Sequence, residues 1–101
     1  MAKIGATSAG GVERLTLADT DKQARDLFVK WIERLDLEVR IDEMGNIFGK
    51  RVGKNDALAP VMSGSHIDSQ PKGGRFDGIL GVMGSLEVLQ TIDENNIKTM
   101  R

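Results

Sequence analysis

Gly64-Ser65-His66-Ile67-Asp68-Ser69-Gln70-Pro71-Lys72-Gly73-Gly74-Arg75-Phe76-Asp77-Gly78 is the stretch on which the reading of this sequence turns. It is polar and rich in turn-forming residues, and it joins two apolar segments of different character. Before it, Pro60-Val61-Met62-Ser63-Gly64 is short and small, which predicts a strand buried beneath helices. After it, Ile79, Val82, Met83, Leu86, Leu89 and Ile92 recur at helical spacing, which predicts a helix from about Gly78 to Glu94. Strand, loop and helix in that order are the unit of an α/β fold. Gly78, Gly81 and Gly84 give that helix a bare ridge. Glycine costs roughly 1 kcal/mol in a helix interior relative to alanine, so close packing against a sheet is the expected compensation.

Upstream, Ala24, Leu27, Phe28, Trp31, Ile32 and Leu35 form one helical stripe, predicting an amphipathic helix from Asp19 or Thr20 to near Leu35. Thr20 and Gln23 match a capping box, Asp19 and Asp21 suit the positive end of the helix, and Phe28 and Trp31 are read as core. Glu38-Val39-Arg40-Ile41-Asp42 alternates as a half-buried strand does, and Ile47 to Val52 reads as a second strand. Met44-Gly45-Asn46 would turn one into the other as a hairpin, with Lys50, Arg51 and Lys54 as a solvated strand end. Gly5 to Gly11 reads as a loop or mobile arm, and Asn95-Asn96 as a helix stop. Residues 97–101 follow without a further element, where a βαβ arrangement would place another strand. The fold expected is α/β: two main helices on a small mixed sheet, the first portion of a larger domain.

The loop holds the chain's single histidine. At the carboxyl end of a strand, His66 can present a neutral imidazole nitrogen to a metal. Asp68 is placed to accept a hydrogen bond from the other ring nitrogen, which fixes the tautomer and raises ligand basicity. Asp77, at the mouth of the second helix, is favoured in its ionised form by the helix dipole and has two oxygens with which to bridge cations. Gly73, Gly74 and Gly78 would let the backbone bring Asp77 back beside His66. Plainer readings stand beside these. A lone histidine is commonly a surface or structural residue, Asp77 has the chemistry of a helix cap, and Gly73-Gly74 that of a turn.

The totals exclude several other classes. Fourteen basic against fifteen acidic residues in 101 leave no cationic excess for nucleic acid or an anionic membrane surface. No cysteine is present, which removes disulfides, thiolate ligands and a cysteine nucleophile. No apolar run reaches signal-peptide or membrane-spanning length, so a cytoplasmic protein is expected. The glycine-rich loop lacks both Gly-Lys-Ser/Thr and a Gly-x-Gly-x-x-Gly at the strand–helix junction, which argues against phosphate binding. Ser65 and Ser69 flank His66 without a Gly-x-Ser-x-Gly elbow, so a serine triad is not credible.

The run from Gly64 to Val82 closely resembles the metal-binding signature of the N-carbamoyl-L-amino-acid hydrolases. That family takes in β-ureidopropionases and allantoate amidohydrolases, within the two-zinc aminoacylase and carboxypeptidase superfamily. The likeness extends to Arg14-Leu15-Thr16-Leu17-Ala18-Asp19, to Ala24-Arg25-Asp26 with Trp31, and to Asp42 through Arg51. It implies that His66 ligates one metal, that Asp77 bridges two, and that Asp68 supports the histidine and the catalysis. It implies two divalent cations per complete site (zinc, manganese or cobalt) and a small ureido or amide substrate hydrolysed to an amino acid, carbon dioxide and ammonia. A Glu-Glu pair, two later histidines, and a lid domain carrying the homodimer interface are expected in the family and absent from residues 1–101. The resemblance therefore implies one partial catalytic domain, inactive in isolation. The loop Ser69-Gln70-Pro71 looks more like the carbamoyl-amino-acid and ureidopropionate branch than the allantoate branch, and an allantoate amidohydrolase or dipeptidase relative is the alternative. A non-catalytic remnant, self-associating through an unpaired sheet edge, is the reading from a different class.

Overall fold

The structure, a computed structural model, describes residues 1–101. Four elements follow one another: α1 (Asp19–Arg34), β1 (Glu38–Ile41), β2 (Ile47–Lys50) and α2 (Ile79–Glu94). The α/β class is as expected, and the sheet consists of two antiparallel strands, with Glu38 opposite Lys50 and Ile41 opposite Ile47.

Both helices stop by the same device. The N–H of Leu37 reaches back to the carbonyl of Ile32, and that of Asp36 to Glu33. Ile97 and Asn96 repeat the pattern with Ile92 and Asp93. Asp36 and Asn96 take positive φ, 55° and 52°, at the position where the chain leaves the helix. The start of α1 departs from the capping box. No side chain caps this helix; the Thr20 hydroxyl donates to the carbonyl of Glu13, and the Asp21 carboxylate accepts the N–H of Leu17 at 3.0 Å.

The hairpin is closed by its own side chains. Gly45 donates to the carbonyl of Asp42 and lies at φ 84°, so residues 43–45 form a three-residue loop that needs glycine at its last position. The Asp42 carboxylate accepts the N–H groups of Met44 and Asn46 at 3.0 and 2.8 Å and the Asn46 amide at 2.9 Å. These bonds, the Asn46 side chain foremost, hold the Asp42 carboxyl below its ordinary 3.8. A depressed carboxylate stabilises the fold above its unfolded pKa, and that stabilisation is lost as pH falls through the folded value. The hairpin is therefore expected to loosen only below about pH 3.8. Asn46→Ala should bring the Asp42 titration, followed by carboxyl NMR, back up towards 3.8.

The helix α1 lies on the hairpin at Gly49, where an added Cβ would stand 2.9 Å from the Ile32 side chain. The buried apolar set is small: Val12, Ala24, Ile32, Leu37, Ile79 and Val82. Phe28 and Trp31, read as core from the stripe, are only half-buried. The radius of gyration is 14.7 Å, against about 13 Å for a compact domain of 100 residues, so these residues form a flat body with a thin core.

Three further expectations change. Pro60–Gly64 is not a strand, because no other strand lies beside it, and Val61 and Met62 are left 94% and 76% exposed. Consequently the glycine ridge of α2 meets no sheet. Gly81 instead packs against Ser65, while nothing lies over Gly84. Arg51 is not solvated: it donates to the Ile97 carbonyl at 3.1 Å and to the Thr99 hydroxyl at 3.3 Å. With Lys54 and Asn55 donating to Thr99 and Met100, it draws residues 97–101 along the chain that follows β2. No helix is long and apolar enough to cross a membrane.

Candidate metal centre

The site begins with the N-terminal segment, not with the loop itself. Residues 6–12 form a tight reversal, Ala6 bridging to Val12, and Val12 bridges onward to Gly73. The expected arm is thus docked on the ligand loop. Arg14 is wholly buried. Its N–H donates to the Ser69 hydroxyl at 2.9 Å, and the Ser69 N–H donates to its carbonyl at 2.8 Å. Its guanidinium donates through Nε to the Ile67 carbonyl at 3.1 Å and through Nη1 to the Ile4 carbonyl at 3.0 Å, while Nη2 has no partner. Burial pushes the Arg14 pKa below its ordinary value, with the charges of Asp21 and then Asp68 pulling it back up. Arginine stays protonated regardless, so a positive charge is fixed behind the loop.

That frame sets where the predicted residues lie. His66 Nδ1 is 3.0 Å from the backbone carbonyl of Asp68 and 3.3 Å from its Oδ1. Asp68 therefore does lie against the ring, but its main-chain carbonyl is the hydrogen-bond partner and its carboxylate stands beside it. The Asp68 carbonyl accepting at Nδ1, with the negative Oδ1 close by, favours the tautomer with its proton there and leaves the Nε2 lone pair free. Nε2 faces Asp77 Oδ1 at 3.9 Å. Both side chains are about half exposed, so a cation and substrate could reach them.

Of the three loop glycines, only Gly78 needs positive φ. At φ 66° and ψ −53°, with the Ile79 N–H bonded to the Asp77 carbonyl at 2.6 Å, it is the centre of a γ-turn that side chains avoid. An added Cβ would overlap the His66 ring. Gly73 is required by close approach, since an added Cβ would stand 2.9 Å from the Ser69 Cβ, whereas Gly74 is nearly free of neighbours and Lys72, at φ 57°, makes the turn expected of glycine. Gly78→Ala should destabilise by about 1–3 kcal/mol through backbone strain and move the imidazole away from Asp77. Denaturant midpoints and the ring NMR signals of the single histidine would register both effects.

The donor set fits part of a cation site. Metal–nitrogen and metal–oxygen bonds of about 2.0–2.2 Å sum to roughly 4.0–4.3 Å, so atoms 3.9 Å apart can bind one ion at a wide angle. No group of three or more histidine and carboxylate side chains is disposed to hold a metal. Two donors give weak binding, because affinity rests on ligand count and geometry. A surface cleft of about 520 Å³ is lined by Thr7 to Gly11, Glu13 and Lys72 to Arg75, and excludes His66, Asp68 and Asp77. The donors, rather than that cleft, define the site. Sequence reading missed Arg14 and Thr16 as parts of it, since their partners lie more than fifty residues away.

One loop thus carries a histidine facing a helix-entry aspartate, with a second aspartate beside the ring. The comparisons place the chain among hydrolases. An N-carbamoyl-L-amino-acid amidohydrolase of Rhizobium meliloti is 48% identical over 99 residues, 98% of this chain and 24% of that protein. A ureidoglycolate hydrolase of Oryza sativa is 34% identical over 101 residues, all of this chain and 21% of the other. The crystal structure of a hydantoinase/carbamoylase-family amidase from Burkholderia vietnamiensis superposes with TM-score 0.95 at 55% identity, over 97% of this chain and 24% of that one. No protein-family model matches. The chain is a homologue of the N-carbamoyl-L-amino-acid amidohydrolases and spans about a quarter of the length of the relatives it matches.

Proposed function

We propose that residues 1–101 are the N-terminal part of an amidohydrolase that cleaves linear ureido or amide C–N bonds, with N-carbamoyl-L-amino acids as the substrate class. The observation that carries this reading is the facing pair His66 Nε2 and Asp77 Oδ1, 3.9 Å apart, with Asp68 behind the ring. In this reading His66 and Asp77 are metal ligands, and Asp68 serves catalysis by holding the imidazole. Bound divalent cations (zinc, manganese or cobalt, two per complete site) would lower the pKa of a water and polarise the substrate carbonyl. His66 offers Nε2, Asp77 offers two oxygens, and the loop keeps them open to solvent. The general base, the remaining ligands and the lid with its homodimer contacts would come from chain beyond these residues. A cytoplasmic setting suits the lack of cysteine. Exposed Val61, Met62 and Leu80 support self-association of the isolated chain, which light scattering would detect.

The test is a chimera in which these 101 residues replace the matching quarter of the Rhizobium meliloti relative. With zinc, manganese or cobalt, the chimera should release amino acid from N-carbamoyl-L-amino acids, and the 101-residue chain alone should not. A folded chimera inert with every cation, or turnover by the isolated chain, would overturn the reading.

A further inference from the structure

The contacts around His66 do not end at Asp68. The second carboxylate oxygen of Asp68, Oδ2, accepts a hydrogen bond from the Thr16 hydroxyl at 2.9 Å, across 52 residues of sequence. Oδ1 of the same carboxylate lies 3.3 Å from His66 Nδ1. With Oδ2 held by the hydroxyl, the negative Oδ1 is kept on the Nδ1 side of the ring, and rotation of the carboxylate would give up the Thr16 bond. The hydroxyl is itself delivered by backbone tied to the ligand loop. Arg14 and Ser69 exchange hydrogen bonds two residues before Thr16 and one residue after Asp68, and Arg14 Nε holds the carbonyl of Ile67 between His66 and Asp68. The hydroxyl and the carboxylate it meets are therefore placed by one rigid frame.

We propose that Thr16 is a positioning residue for the ligand His66: its hydroxyl sets the orientation of Asp68, which keeps the proton on Nδ1 and leaves Nε2 as the atom that ligates. The inference rests on the cation-site reading of His66 and deepens it. Thr16 touches neither substrate nor cation. It acts at two removes, as supporting groups around metal ligands commonly do.

The single histidine makes the test direct. In the 101-residue chain labelled with ¹⁵N-histidine and held at pH 8 without metal, the ring nitrogen shifts report the tautomer. Thr16→Val, which keeps the shape and deletes the hydroxyl, should move population from the Nδ1–H to the Nε2–H form. Zn²⁺ affinity read from the same signals should fall about tenfold. Thr16→Ser should restore both, which loss of packing alone would not allow. Thr16→Ala repeats the deletion should the valine variant lose its folded amide spectrum. Identical ring shifts and Zn²⁺ affinity in wild type, valine, alanine and serine proteins would overturn the proposal. If Zn²⁺ leaves the wild-type ring signals unchanged, the cation reading fails, while the metal-free tautomer comparison still decides the role of Thr16.

Discussion

Methionine in place of Arg14 is expected to lower the stability of the chain by about 3 kcal/mol, the largest loss from any single substitution discussed here. The side chain is fully buried and donates to the carbonyls of Ile67 and Ile4. Each orphaned buried acceptor costs about 1–3 kcal/mol. Removing the cation also leaves the buried Asp21 without its compensating charge. Methionine fills similar space and ends the desolvation of the unpartnered Nη2, which offsets part of the loss. Domains of this size have about 5–15 kcal/mol in total, and with ten buried residues this chain belongs at the low end. A guanidinium-chloride melt followed by circular dichroism should show a midpoint shifted strongly down, with Arg14→Lys intermediate because one ammonium cannot reach both carbonyls. An unchanged midpoint would mean that the buried guanidinium is neutral to the fold.

The second large effect is chemical. In the chimera, His66→Ala and Asp77→Asn should each reduce kcat/KM at least about a thousandfold, or about 4 kcal/mol at 1.36 kcal/mol per factor of ten. The reason lies in the count of donors. Residues 1–101 bring one imidazole nitrogen and one carboxylate to face each other, and no third such side chain is grouped with them. Loss of either leaves a single donor on this side of the site to hold a cation. Because both side chains are half exposed, the melting temperature should hardly move. Metal content by atomic absorption should fall with activity. Full metal content with unchanged turnover in both variants would remove His66 and Asp77 from the site.

Local pattern carried the elements that are governed locally. The α1 stripe, the hairpin with its Gly45 turn and the helix stop at Asn95-Asn96 all lie where spacing and turn chemistry put them. Those features depend on neighbours three to five residues apart, which a sequence displays. The errors have one cause in common. Thr20 donates to Glu13 instead of capping, Arg51 turns to Ile97 and Thr99, and Pro60–Gly64 has no strand beside it. Each outcome depends on a partner that local pattern cannot name.

The same division runs through the site. By itself the sequence determined that one histidine and two aspartates share a glycine-punctuated loop leading into a helix, and that Gly78 stands where the helix begins. Residue identity and spacing are enough for that. Only the tertiary structure decided that His66 Nε2 faces Asp77, that the Asp68 main-chain carbonyl takes Nδ1, and that Arg14 and Thr16 hold the loop from behind. Those relations span up to 55 residues and depend on where a buried cation and a backbone exchange with Ser69 bring two distant segments together. The physical reason is that hydrogen bonds and charges act over a few ångströms in space, and separation along the chain does not reveal which groups folding will bring that close.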